Sequence, residues 1–299
     1  MKRKAVFFFA ISLMVLAISL YFDFELLDWY NNFYQAIIKK DLEIFGKQIV
    51  YFLIIGVSIS ICQSGFSFIS EYIDLELKII FTKISLNNHF IFPTQRNANQ
   101  KFIDDASLAA EKLSSLLPMC IFYSIKAIAT FVAIIIWCPS KVVLIFSEYS
   151  FPYPMAFASI IFLLVQIYVS KSYYPLIRRV DRIKRNAENT FRLKILADNR
   201  IDLKSPLMRY LYVVSLIRRF TAARSFLLST TLGLLNSLSY VIPFYVLFSI
   251  FYYDELSFGM LMKISATFGL FQASVSYLVF NFRELSKGVA AYKRILGVS

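Results

Sequence analysis

Six long apolar stretches follow one another along the chain and are separated by segments rich in charged residues. They lie at residues 5–22, 48–70, 113–137, 154–170, 225–250 and 258–282. A helix of about 20 residues crosses the hydrocarbon of a bilayer, and the backbone polar groups at that depth must pair within the helix. The pattern predicts an all-α membrane protein with six transmembrane helices, forming a single transmembrane domain over residues 1–299.

Two of the polar segments are too long to be simple turns. Residues 71–112 and 171–224 are rich in Glu, Lys, Arg and Leu, and their apolar residues recur at helical spacing. We therefore expect the helices of spans two to five to continue out of the membrane as two long hairpins. Short loops on one side and long helical extensions on the other resemble the transmembrane domain of exporter-type ABC transporters, in which two chains complete one pathway.

The basic residues are distributed unevenly between the two sides of the predicted membrane. With the N-terminus inside, the inside segments hold 26 Lys and Arg residues and the outside segments hold 4. Because basic residues accumulate in cytoplasmic loops, both termini and both long segments are expected in the cytoplasm. This topology, together with attraction to anionic lipid, explains the formal net charge of +13. We therefore expect no nucleic-acid partner.

Composition and motifs exclude several other classes of protein. The chain is 58% hydrophobic with a mean hydropathy of +0.62, which is more apolar surface than one compact core buries. Its three cysteines have no paired spacing and its single histidine is His89, so neither a disulfide framework nor a zinc site is expected. The sequence has no Walker motif, no GxGxxG and no GxSxG. We expect no enzyme activity, no metal or other cofactor, and no nucleotide-binding domain.

Several short segments resemble the SbmA/BacA family of bacterial inner-membrane peptide transporters. The stretch from Ser257 resembles that family's final helix and C-terminal end. It contains the segments ATFGLFQAS and AYKRIL. Its first cytoplasmic turn is similar to NANQKFIDDASLAAEKL, and its second is similar to RNAENTFR. Related half-transporters that carry an ATPase are similar to the segment WYNNFYQAIIKKDLEIF.

The resemblance implies a bacterial inner-membrane homodimer that takes up peptides, including antimicrobial peptides. It implies that the proton gradient drives uptake and that the carrier has no ATPase of its own. Asp104, Asp105 and Glu188 stand on matching family positions, whereas Lys194 and Lys287 stand where the family pattern has carboxylates.

Carboxylates in or beside the predicted spans are the candidates for proton coupling. An acid within a membrane is costly unless it faces water or a partner, and it titrates when its surroundings change. The candidates are Glu71, Asp74, Asp104, Asp105 and Glu188. A structural role is open for each: Asp74 can pair with Lys78 four residues later, Asp104 and Asp105 can cap the start of span three, and Glu188 can pair with neighbouring basic residues.

Two lysines fall within predicted spans. Lys126 lies near the middle of span three, so we expect it to face the pathway or to pair with an acid. Lys263 lies near the start of span six and is expected to snorkel to the outer interface.

An acidic and aromatic segment follows span one and carries the other pathway candidates, Asp28, Trp29 and Tyr30. We interpret it as an interfacial aromatic elbow, or as an entrance that attracts cationic peptides and stacks their side chains. Small residues in spans two and six predict close packing between helices.

Two other functions remain open. The chain can be the membrane subunit of an ATP-driven transporter whose ATPase is a separate chain or lost, with residues 93–105 and 190–205 docking the ATPase. It can also be a scaffold or a remnant that does not transport, as the substituted carboxylates suggest.

Overall fold

The computed structural model describes residues 2–89, 96–138, 141–143, 150–169, 171–172, 240–248, 250–252 and 256–296, with scattered positions between residues 212 and 237. The chain forms two compact units, one of residues 1–161 with 240–299 and one of residues 162–239. In the second unit, every described residue is helical. The helices that build the candidate site belong to the first unit.

Long helices dominate the described residues. In chain order the elements are α1 Lys2–Lys39, α2 Leu42–His89, α3 Arg96–Trp137, β1 Lys141–Val143, β2 Ser150–Pro152, α4 Pro154–Val169 and α5 Phe258–Ile295. The two strands pair antiparallel, with Val142 opposite Phe151. They form a small hairpin between α3 and α4.

A two-residue turn reverses the chain between α1 and α2. Lys40 has a φ of 54°, in the left-handed region, which ends α1 abruptly. The carboxylate of Asp41 then accepts hydrogen bonds from the backbone N–H groups of Glu43 at 3.1 Å and Ile44 at 3.0 Å. An aspartate at this position satisfies backbone donors that have no partner within the helix, so α2 starts immediately. We call the end of the unit that carries this turn the turn end.

At the opposite end, which we call the far end, α2 finishes, α3 begins and α5 finishes. Small side chains allow these helices to approach closely: Ala106, Ala109 and Ala110 of α3 and Ala291 of α5 are fully buried. They pack with Phe81, Ile295 and neighbouring apolar residues in one core cluster. A second cluster, nearer the middle of the helices, joins α1, α2 and α3 through Leu16, Phe66 and Phe122.

The structure confirms the all-α membrane fold predicted from the sequence. Among the described residues, four helices are long and apolar enough to cross a membrane, and α4 is a shorter apolar helix. Helices α1, α2 and α3 correspond to spans one, two and three, α4 corresponds to span four, and α5 corresponds to span six. Most of the stretch 225–250, assigned to span five, falls outside the described residues.

One expectation about the connections is confirmed and one was wrong. Helix α3 starts at Arg96, well before the apolar run, so the predicted helical extension of span three is present. The acidic and aromatic segment after span one forms no elbow, because α1 continues without a break to Lys39. Both helices extend their hydrogen-bonded backbone beyond the apolar stretch that identified them.

The expectation about small residues holds for α5 but not for α2. A side chain at Gly259 would collide with the backbone carbonyl of Asn31, so this glycine allows α5 to contact α1. By contrast, Gly56 and Gly65 have no neighbouring atoms within 4 Å of an added Cβ. In α2 the small residues line an open surface groove instead of packing within the described chain.

Gly288 provides a test of the contact between α3 and α5. A Cβ at this position would lie 2.6 Å from Lys112 Cβ, whereas nothing lies within 4 Å of a Cβ at Gly46. We expect Gly288→Ala to lower the free energy of unfolding by about 1–3 kcal/mol through overpacking. The matched change Gly46→Ala should stabilise the protein by up to about 1 kcal/mol, because alanine favours a helix over glycine.

Thermal unfolding of the two variants in the same detergent measures this difference. Equal melting temperatures for the two variants would contradict the close contact at Gly288.

Candidate functional site

A lysine and an aspartate form a buried ion pair between α1 and α3. Lys126 Nζ lies 2.6 Å from Asp23 Oδ2, and the two side chains are only 9% and 11% exposed. A single charge at such a position costs several kcal/mol, so each residue compensates the charge of the other. Asp23 is thus the acid partner that the sequence predicted for Lys126.

Aromatic rings complete the surroundings of this pair. Lys126 Nζ lies 5.7 Å from the ring centre of Phe122 and 5.9 Å from that of Tyr123. Ring faces attract cations, so both contacts add to the stabilisation of the ammonium group. Tyr123 in turn stacks on Tyr277 of α5, with 4.0 Å between ring centres. The ion pair is therefore connected to α1, α3 and α5.

A second lysine–aspartate pair lies closer to the turn end and joins α1 to α5. Lys263 Nζ contacts Asp28 Oδ1 at 2.5 Å and lies 3.7 Å from the ring centre of Trp137. Its side chain is 11% exposed, whereas that of Asp28 is 59% exposed. The prediction that Lys263 snorkels to the interface was wrong. An acid on α1 and an indole ring at the end of α3 hold its ammonium group within the protein.

The other two pathway candidates on α1 pack against neighbouring helices. Trp29 is buried, donates a hydrogen bond from its indole N–H to the backbone carbonyl of Gln48 at 2.7 Å, and lies 4.6 Å from the ring of Phe52. It thereby attaches α1 to α2. Tyr30 is half-buried and stacks on Tyr34 one turn later, at 6.3 Å between ring centres.

At the far end, an arginine and an aspartate connect α5 to α3. Arg294 donates two hydrogen bonds to Asp105, from Nε to Oδ2 at 2.9 Å and from Nη2 to Oδ1 at 2.7 Å. The Asp105 side chain is 12% exposed and that of Arg294 is 50% exposed. A two-point contact between a guanidinium and a carboxylate is strong and directional. It holds the last turn of α5 against the first part of α3.

The expectation that Asp104 and Asp105 cap the start of a helix was wrong. Because α3 begins at Arg96, both residues lie inside the helix, where the backbone N–H groups are already bonded. Asp105 instead faces α5, and its neighbour Asp104 is exposed.

A smaller charged network lies beside this contact. Glu284 of α5 accepts a hydrogen bond from Lys287 at 2.7 Å and lies 3.9 Å from Lys112 of α3. Lys287 thus pairs with an acid one turn earlier on its own helix. These partly exposed pairs each contribute little to stability.

The remaining acidic candidates have separate positions. Asp74 pairs with Lys78 at 2.6 Å, as the i,i+4 spacing predicted, and Glu71 is exposed. Among the described residues, one oxygen of Asp74 and one of Glu76 are buried without a hydrogen-bond partner. Such oxygens are acceptors available to a proton or a donor. Glu188 lies outside the described residues.

Sequence reasoning missed the partners in these contacts. It found Asp105 and Lys126 but could not pair them with Arg294 and Asp23, which are 189 and 103 residues away. A basic residue near the end of a helix is ordinary, because it complements the helix dipole, so Arg294 gave no special signal. Asp23 was visible only as the first acid after an apolar run.

The comparisons with known proteins agree with this architecture. The family model for ABC transporter transmembrane region 2 matches residues 1–192, more than half of the chain. No curated protein matches the sequence. In the part of the chain that the structure describes, no group of three or more His, Cys, Asp or Glu residues is arranged to hold a metal ion.

The buried pair between α1 and α3 predicts a specific pattern of stabilities. Lys126→Met leaves Asp23 buried without its counter-charge, and we expect the free energy of unfolding to fall by about 3–5 kcal/mol. Replacing both residues, with Asp23→Leu and Lys126→Met, should recover most of the loss because no charge is then buried. Thermal unfolding in detergent measures both changes.

The control is Lys47→Met, which breaks an ion pair whose side chains are 71% and 79% exposed. It should change the free energy of unfolding by no more than about 1 kcal/mol. If the Lys126 and Lys47 variants unfold at the same temperature, the buried pair does not stabilise the fold.

Proposed function

Because the chain belongs to the ABC transporter transmembrane region 2 family, we propose that it takes up peptides, including antimicrobial peptides, across the bacterial inner membrane. Membership of this family makes the chain a multi-pass membrane protein of the transporter type. The peptide substrate comes from the resemblance of its short segments to the SbmA/BacA carriers. We propose the proton gradient as the driving force and a homodimer as the active form.

In this proposal the turn end faces the outside and the far end faces the cytoplasm. The excess of basic residues in the segments assigned to the inside supports this orientation. The pairs of Lys126 with Asp23 and of Lys263 with Asp28 then lie towards the outside. The contact between Arg294 and Asp105 lies at the cytoplasmic end.

The two-point contact between Arg294 and Asp105 carries the proposal of proton coupling. Asp105 matches a position of the SbmA/BacA carriers in the resemblance described above, is nearly buried, and holds the end of α5 against α3. A proton on this carboxylate removes its charge, so the contact with the guanidinium weakens and the two helices can separate. Loss of the proton restores the contact. A proton that arrives from one side and leaves to the other therefore shifts the population between two arrangements of the far end.

A second buried charged contact lies nearer the turn end, where Asp23 and Lys126 hold α1 against α3. Because α3 takes part in both contacts, it connects the two ends of the unit. A carrier that opens to one side at a time needs such a connection.

Family membership also favours a second candidate function. ABC transmembrane regions are associated with ATPases, so the chain can be the membrane subunit of an ATP-driven transporter. The far end, where α2 and α3 extend beyond their apolar stretches, would dock the ATPase.

Uptake measurements separate the two functions. We expect uptake of a labelled cationic peptide into cells that express the chain to stop when a protonophore collapses the gradient. Asp105→Asn keeps the size of the side chain but removes the charge, which weakens a contact worth about 1.5–3 kcal/mol, so uptake should fall at least about tenfold. Glu43→Gln, a change at an exposed carboxylate near the turn, should leave uptake unchanged.

Two results would contradict proton coupling. One is full uptake by the Asp105→Asn variant. The other is uptake that survives the protonophore but stops when ATP is depleted, which would indicate a partner ATPase.

The open groove on α2 supports the proposed homodimer. It is about 800 Å³ in volume and is lined by small and apolar residues, including Gly56, Ser60 and Gly65. Small residues let two transmembrane helices approach closely. We expect native mass measurement in mild detergent to show two chains, and Gly56→Leu to shift the protein towards one chain. Gly46→Leu, at a glycine outside the groove, should remain a dimer, and a wild-type protein that is active as a monomer would contradict the proposal.

A further inference from the structure

Three acids follow one another on α1 near the turn end, and the structure gives them different partners. Asp23 and Asp28 pair with Lys126 and Lys263. Glu25, between them in sequence, makes no ion pair with any described residue. A helix turns by about 100° per residue, so Glu25 lies on the opposite side of α1 from Asp23 and on the same side as Asp28, three residues later.

Two tyrosines lie beside the Glu25 carboxylate. The hydroxyl of Tyr51 on α2 donates to Glu25 Oε2 at 2.6 Å, and Tyr21 lies one turn earlier on α1, next to the same carboxylate. Tyr21 is 60% exposed and Tyr51 is 39% exposed. The carboxylate therefore lies at the surface, in a fixed orientation between two accessible rings.

This arrangement suits a positively charged group. An ionised carboxylate has about four acceptor positions, so the hydroxyl of Tyr51 leaves others available. The neighbouring phenol rings attract cations through their faces. The hydroxyl groups add no positive charge, so the charge of Glu25 is uncompensated by the described protein.

We propose that Glu25, Tyr21 and Tyr51 form a binding site for an ammonium or guanidinium group of a cationic peptide. The identity of the peptide as the transported substrate rests on the proposed function, whereas the binding of a cation rests on the geometry alone. In the proposed orientation, the site lies at the outer side of the membrane. A peptide would meet it there before reaching the pathway.

A lipid headgroup fits the site less well. The ammonium group of an aminophospholipid is a short distance from a phosphate, which would approach the Glu25 carboxylate. No described basic side chain forms an ion pair with Glu25, and Lys126 and Lys263 pair with Asp23 and Asp28 instead. A peptide side chain carries its positive charge without an attached anion.

Binding to the purified full chain tests the proposal without requiring transport. The probe is a fluorescent hexa-arginine peptide, and its neutral counterpart has citrulline at every position. Both are titrated against the protein in a non-ionic maltoside detergent, which contains no amine and no charge. We expect Glu25→Gln to weaken binding of the arginine peptide by about tenfold, because charge-assisted contacts are roughly twice as strong as neutral ones.

Matched variants identify the cause of the change. Glu43→Gln removes an exposed carboxylate of α2 that already has a lysine partner, and it should bind the peptide as the wild type does. Glu25→Asp keeps the charge and should retain part of the affinity. The citrulline peptide should bind weakly to all variants. Unchanged melting temperatures show that each variant is folded.

The outcomes separate this inference from the proposed function. If the wild type binds the arginine peptide and Glu25→Gln binds it equally well, the site is wrong and the uptake function is unaffected. If Glu25→Gln loses binding but cells show no peptide uptake, the site stands and the proposed function fails. A wild-type protein that does not bind the arginine peptide overturns the inference. So does displacement of the peptide by an equal concentration of phosphatidylethanolamine, which would identify a lipid site.

Discussion

A charge inside an apolar helical bundle must have a partner, and the described structure depends on this constraint. Lys126 is nearly enclosed, and its contact with Asp23 joins α1 to α3. The cost of leaving either charge alone exceeds the contribution of most single packing contacts. Each charge at this level therefore requires the other, and apolar packing around the pair excludes water from both.

The same constraint operates at both ends of α3. Near the turn, Lys263 reaches Asp28 and the Trp137 ring, so α5 is held close to α1 and to the end of α3. At the far end, Arg294 reaches Asp105. Buried alanines let the helices come close enough for these contacts to form. Helix α3 therefore contributes a residue to each of these groups.

The acidic residues thus divide by environment rather than by sequence position. Asp23 and Asp105 are nearly enclosed and hold other helices, which makes their charge state consequential for the fold. Asp74 is paired locally on its own helix, and Glu71 and Asp104 are exposed. Glu25 differs from all of these, since only hydroxyl groups bind it and its charge remains available at the surface. In the proposed uptake of cationic peptides, the first kind serves conformational change and the last kind serves recognition.

The sequence by itself determined the fold class, because an apolar run of sufficient length can satisfy its backbone in lipid only as a helix. It also predicted the pair of Asp74 with Lys78, since residues four apart on a helix are neighbours. It could not give the length of α1, which continues through an acidic and aromatic segment to Lys39. Nor could it join Asp105 to Arg294 or Lys126 to Asp23. Such contacts depend on the order and depth at which distant helices pack, and only the tertiary structure brings those side chains within reach of one another.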